Sequence, residues 1–72
     1  MRPPDELTPR EHEVLQLLAQ GQTDREIARS LTVSVTTVKL HVEHILTKLG
    51  VTDRARVADR AVELGLLGKQ SG

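Results

Sequence analysis

Two helix-start signals in quick succession do most to limit the folds open to this chain. Thr8-Pro9-Arg10-Glu11 is a Thr-x-x-Glu capping box, with proline at the first helical position where a missing N–H does no harm. Thr23-Asp24-Arg25-Glu26 repeats the box, and Gly21 between them stops the first helix. Helices this short are marginal alone and hold only by burying an apolar stripe on one another. The stripes are present. Val14, Leu15, Leu18 and Ala19 follow the first box at helical spacing, and Ile27, Ala28 and Leu31 follow the second.

The punctuation continues along the chain. Thr32-Val33 reads as a turn, and Ser34 caps a third helix predicted from Val35 to Leu49, with Gly50 as its stop. At about 100° per residue, Val38, Val42, Ile45 and Leu49 share one face. Thr36, Lys39, Leu40, Glu43 and Thr47 fall opposite, with His44 at their edge and His41 beside the core stripe. A fourth helix is expected to start near Thr52 or Asp53 and to end by Leu64, before Gly65. Val57, Ala61 and Leu64 point one way. Ala55, Ala58 and Val62 widen the apolar arc sideways, beyond what one core contact needs. Leu66 and Leu67 are expected to fold back on the core. Arg2-Pro3-Pro4 cannot be regular helix, so residues 1–6 read as a linker-like lead-in, 7–67 as one domain and 68–72 as a loose tail. No strand pattern is evident. The fold class is all-α, a four-helix bundle-like domain.

Seventy-two residues suffice for one modest core. With no Phe, Tyr or Trp, that core must be built from Leu, Val, Ile and Ala. The absence of cysteine excludes disulfides and thiolate metal sites and fits a reducing compartment. No apolar run reaches membrane-spanning length and there is no secretory signal, so the chain reads as soluble and cytoplasmic, with no membrane partner. It carries no nucleophile elbow, Gly-rich phosphate loop or His-Glu-x-x-His, and too little chain to enclose a pocket. It reads as no enzyme and as needing no cofactor. His41 and His44 stand at i and i+3, but no third ligand is evident, so no metal site is assigned.

Asp24–Glu43 carries the functional signal. A short helix, a tight turn and a second helix with an outward polar face make a helix-turn-helix, which lays its second helix in the DNA major groove. Without aromatic platforms for single strands, double-stranded DNA is the nucleic acid that fits. Ser34, Thr36, Thr37 and the first amides of the third helix can hold phosphate. Lys39 can reach a guanine edge or a phosphate, and Leu40 a thymine methyl. Glu43 either accepts from cytosine N4 or sits as an exposed acid that repels the backbone. His44, Thr47 and Lys48 complete the expected DNA-binding set. Arg54 either touches phosphate or pairs with Glu11 or Glu26. Zero net charge, from ten basic and ten acidic residues, speaks against DNA. The acids cluster ahead of the third helix and the bases in and after it, which softens the objection.

Five blocks, in order, resemble the LuxR-type family of bacterial transcription regulators. They are Leu7-Thr8-Pro9-Arg10-Glu11, Glu26-Ile27-Ala28-Arg29-Ser30-Leu31, Thr37-Val38-Lys39-Leu40-His41, Lys48-Leu49-Gly50-Val51 and Arg54. The resemblance implies sequence-specific binding to a two-fold-related operator and a weak homodimer through the last helix, here by Ala55, Ala58 and Val62. RNA polymerase is a further candidate partner. The resemblance also implies a place behind a receiver or ligand sensor in a longer chain, and the Arg-Pro-Pro lead-in looks like the end of an interdomain linker. Three residues depart from the family pattern. Asp24 stands where Asn is frequent, Glu43 where some members carry a base-contacting basic residue, and Thr32 in a turn that generally favours Gly. Two rival readings are a sigma factor region-four domain, which shares the Glu-Ile-Ala and Thr-Val-Lys signals, and a protein-interaction module that keeps the fold without the DNA surface.

Overall fold

The structure, a computed structural model, describes residues 7–66. Its order is α1 (Pro9–Ala19), α2 (Asp24–Leu31), α3 (Val35–Leu49), a 3-10 turn (Arg54–Arg56) and α4 (Val57–Glu63). There is no strand among the described residues, so the fold is all-α. The expected lead-in 1–6, the tail 68–72 and Leu67 lie outside the described residues.

Both capping boxes form. The Thr8 hydroxyl accepts from Glu11 N–H at 3.1 Å while Glu11 Oε1 accepts from Thr8 N–H at 3.0 Å. Thr23 and Glu26 make the same exchange at 3.1 and 2.9 Å. The apolar stripes then meet. Val14, Leu15 and Leu18 of α1, Ile27 and Ala28 of α2, Val38, Val42, Ile45 and Leu49 of α3, and Val57 and Ala61 of α4 make one aliphatic core. Helix α3 packs against α1, α2 and α4, and Ala28 is small enough for α2 to lie close to it. Arg60 Nε donates to the Leu49 carbonyl at 3.1 Å, which places a cation at the negative end of α3.

All the α-helices end in the same way. After α1, Gln22 N–H reaches the Leu17 carbonyl, and after α3, Val51 N–H reaches that of Leu46. Val33 N–H to Ala28 and Leu66 N–H to Ala61 repeat the pattern after α2 and α4. This Schellman closure needs one residue in the left-handed region. Gly21, Gly50 and Gly65 supply it without strain, but after α2 the residue is Thr32, at φ 59° and ψ 47°. A β-branched side chain there costs about 1–2 kcal/mol, against which stands the extra chain entropy a glycine would lose on folding. Thr32→Gly should therefore raise stability by about 0.5–1 kcal/mol, seen as an upward shift of a few degrees in the melting temperature. An unchanged or lowered midpoint would show that Thr32 sits there without strain.

The last helix ends by Leu64 as expected, but its first turn and the place of Leu64 differ from expectation. Asp53 accepts from Ala55 N–H at 3.0 Å, and Arg56 N–H bonds the Asp53 carbonyl at 2.9 Å. The first turn is thus wound to 3-10, and regular helix starts only at Val57. At the other end Leu64, expected in the core, is 48% exposed. It is the cap residue, placed beyond the edge of the core, and Gly65 turns the chain so that Leu66 packs back in its stead.

Candidate nucleic-acid interface

The Thr32 turn brings α3 away from α2 with its polar side outward. Ser34 caps it: its oxygen accepts from Thr37 N–H at 3.1 Å and its hydroxyl donates to Thr37 Oγ1 at 2.9 Å. Thr37 N–H is thus satisfied, and Val35 and Thr36 N–H head the helix with no carbonyl of an earlier turn to bond. Because Val38, Val42, Ile45 and Leu49 hold α3 by one stripe, Thr36, Lys39, Leu40, Glu43 and Thr47 are all exposed on the far side. Leu40 is 52% exposed, an aliphatic side chain in the middle of a polar face. Lys39 and Glu43 make no ion pair among the described residues.

His44 and Lys48 take a different place. Both lie on the flank of α3 that meets α1, where they converge on Glu11. Lys48 Nζ donates to Glu11 Oε1 at 2.6 Å, and His44 Nδ1 stands 3.5 Å from Glu11 Oε2. Glu11 is buried, with its side chain 5% exposed. Burial alone would raise its pKa. The hydrogen bonds from Lys48 and from Thr8 N–H, with the charges of Lys48 and His44, outweigh burial and hold the carboxyl below the ordinary glutamate value. Lys48 therefore ties α3 to α1 from the flank of the outward face. His41, between face and core, has Nδ1 buried without a hydrogen-bond partner. Among the described residues no three His, Asp or Glu side chains gather as a metal site would require.

The charges sort by pairing. Arg54 Nη1 donates to Asp24 Oδ1 at 2.8 Å and Nη2 to the Gln22 carbonyl at 3.4 Å, so its partner is neither Glu11 nor Glu26. That bond neutralises the acid at the start of α2. Glu13 and Glu63 pair with Arg10 and Arg60. Within the helix-turn-helix Arg25, Arg29 and Lys39 have no ion pair among the described residues. Arg25 and Arg29 are exposed four residues apart on α2, away from its buried Ile27 and Ala28. Neither was singled out from the sequence, although that spacing on a helix facing solvent was a readable signal. The sideways patch on the last helix is also in place. Ala55 and Val62 are exposed, Val62 by 54%, and Ala58 is half-buried.

Residues 5–61 match the bacterial regulatory proteins of the luxR family. The chain belongs to that family. Its luxR-type helix-turn-helix is a transcription-regulator domain and not an enzyme. Transcriptional regulatory protein LiaR of Bacillus subtilis is 46% identical over 56 residues, 78% of this chain and 26% of LiaR. The nitrate/nitrite response regulator NarL of Escherichia coli is 44% identical over 54 residues, 75% of this chain and 25% of NarL. The chain thus spans about a quarter of the length of these relatives. Among solved structures, the response regulator ChrA of a heme-sensing two-component system superposes with a TM-score of 0.84 at 42% identity, over 90% of this chain and 32% of ChrA. Vibrio cholerae VqmA, solved as a complex with its ligand and DNA, superposes with a TM-score of 0.79 at 32% identity, over 92% of this chain and 29% of VqmA. No helix among the described residues is long and apolar enough to cross a membrane.

Proposed function

We propose that this domain binds double-stranded DNA in the cytoplasm to regulate transcription, with α3 in the major groove and α2 across the backbone. The observation that carries it is the outward face of α3, where Thr36, Lys39, Leu40, Glu43 and Thr47 stand exposed together on a helix whose other side is locked into the core. That face offers donors, an acceptor and one apolar contact, the chemistry that base edges require. Ser34, Thr36, Thr37 and the first amides of α3 suit phosphate, as do Arg25 and Arg29 on α2. His44 lies at the edge of this surface. Lys48 supports it from the flank by fixing α3 to α1.

The relatives are several times longer than this chain. The domain accordingly serves as the output module of a longer regulator that also carries a receiver or a ligand sensor. Titration with random duplex DNA at low salt tests the central claim. Weak binding that falls steeply as salt rises is expected. An interaction module of the same fold, which zero net charge favours, would show no binding at the lowest workable salt.

Two copies pair weakly through Ala55, Ala58 and Val62 on a two-fold-related operator. The patch is small beside a standard interface of about 800 Å² per partner, so pairing relies on DNA to bring the copies together. Val62→Glu should weaken binding to a duplex with two half-sites by about tenfold or more and leave a single half-site nearly unaffected. Equal losses on both duplexes would remove this surface from the dimer.

A further inference from the structure

The outward face of α3 carries one acid, and its surroundings restrict what that acid can meet. Glu43 is exposed, and no cation pairs with it among the described residues. Lys39, one turn earlier, makes no ion pair with it. Its other neighbours on this face are Leu40 and Thr47, which hold no charge. In the free domain the carboxylate is hydrated. Once α3 enters a groove that water is lost, and an unpaired carboxylate out of water is costly. Glu43 is therefore tolerated only where the DNA offers it a donor.

Major-groove edges offer two kinds of donor, the amino groups of cytosine and adenine, whereas guanine and thymine present only acceptors there. Adenine sets the acceptor N7 beside its amino group, facing the same carboxylate. Cytosine has C5–H, not an acceptor, beside its amino group on the same base. We propose that Glu43 selects cytosine at one position of the half-site and rejects guanine and thymine there. This rests on the placement of α3 in the major groove proposed above.

The position it reads is separate from that of Lys39. A helix rises about 1.5 Å per residue, so the two residues are about 6 Å apart along α3, roughly two base steps of 3.4 Å. An acid that merely repelled the backbone would act on every sequence alike. Selectivity at a single base pair separates the two cases.

The test uses the 72-residue chain. Selection of bound duplexes from a random pool defines the half-site, and affinities are then measured for all four base pairs at each position. One position should prefer cytosine over guanine and thymine by about tenfold. N4-methylcytosine there, which still pairs with guanine but turns a methyl toward the groove, should lose that advantage. Glu43→Gln should move the preference to adenine, because the amide donates to N7 while accepting from N6. Glu43→Lys should move it to guanine. Preferences at the other positions should hold in both variants. If Glu43→Ala tightens binding to all four base pairs equally and keeps their ranking, Glu43 only repels the backbone and the proposal is overturned, with the DNA-binding role intact. If the wild-type chain binds no duplex, the placement of α3 fails and this assignment falls with it.

Discussion

Glu11→Ala should destabilise the domain by about 2–3 kcal/mol, a drop in melting temperature of roughly 10 °C or more. The substitution removes the acceptor for Lys48 Nζ and the half of the capping box that holds Thr8 N–H. Loss of one partner of a buried ion pair commonly costs about 3–5 kcal/mol. The figure here is lower because the Lys48 side chain keeps 23% exposure and its ammonium can regain water. Glu11→Gln keeps the shape and one acceptor oxygen for Thr8 N–H and Lys48 Nζ, but replaces the other oxygen with an amide NH2 and removes the charge, and should cost less. The acid's pKa is lower in the folded state than in the unfolded chain, so its ionisation stabilises the fold above the ordinary glutamate range and that contribution is lost as pH falls through the lowered value. The stability gap between wild type and Glu11→Gln should therefore narrow below about pH 4. A gap that stays constant down to pH 3 would show that the ion pair with Lys48 contributes nothing.

Lys39→Ala should weaken DNA binding by about 1–3 kcal/mol and relax the preference at one base pair, if the ammonium reaches a guanine edge. A phosphate contact gives a different signature, a loss uniform across sequences with the salt slope reduced by about one. Leu40→Ala provides the contrast on the same face. It removes no charge, so the salt slope should stay fixed. The loss, on the order of 0.8 kcal/mol for one apolar group, should appear only where a thymine meets the helix. Uracil in place of that thymine should abolish the difference between variant and wild type. Equal binding of wild type and Leu40→Ala to both duplexes would make Leu40 an exposed bystander.

The sequence made the local structure legible because that structure is set by neighbours. Capping partners three residues apart define where α1, α2 and α3 begin, and glycines just past the last apolar residue define where α1 and α3 end. The stripe Val38, Val42, Ile45 and Leu49 follows from helix geometry alone, and so does the exposed face opposite it. What stayed hidden depends on contacts between distant parts of the chain. Glu11 is visible as a capping residue, but its bond to Lys48 spans 37 positions and arises only when α1 docks on α3. Nothing near Lys48 in the sequence points to this bond. Arg54 shows the same limit. The sequence offers Glu11 or Glu26 as its ion-pair partner, but the partner is Asp24, while Glu26 is turned back onto Thr23 N–H in the capping box and Glu11 is taken by Lys48. Leu64 has the spacing of a core residue, yet the helix stops one residue before it.

Helix α3 holds the centre of the core with one face and presents its exposed polar residues with the other, and the two sets point in opposite directions. Substitutions at exposed positions such as Thr36, Lys39, Leu40 and Glu43 generally change stability by no more than about 0.5 kcal/mol. Which sequence the domain prefers can therefore drift, residue by residue, while the packing that keeps it folded stays as it is. A duplicated copy of this chain could acquire a new target without passing through an unfolded ancestor.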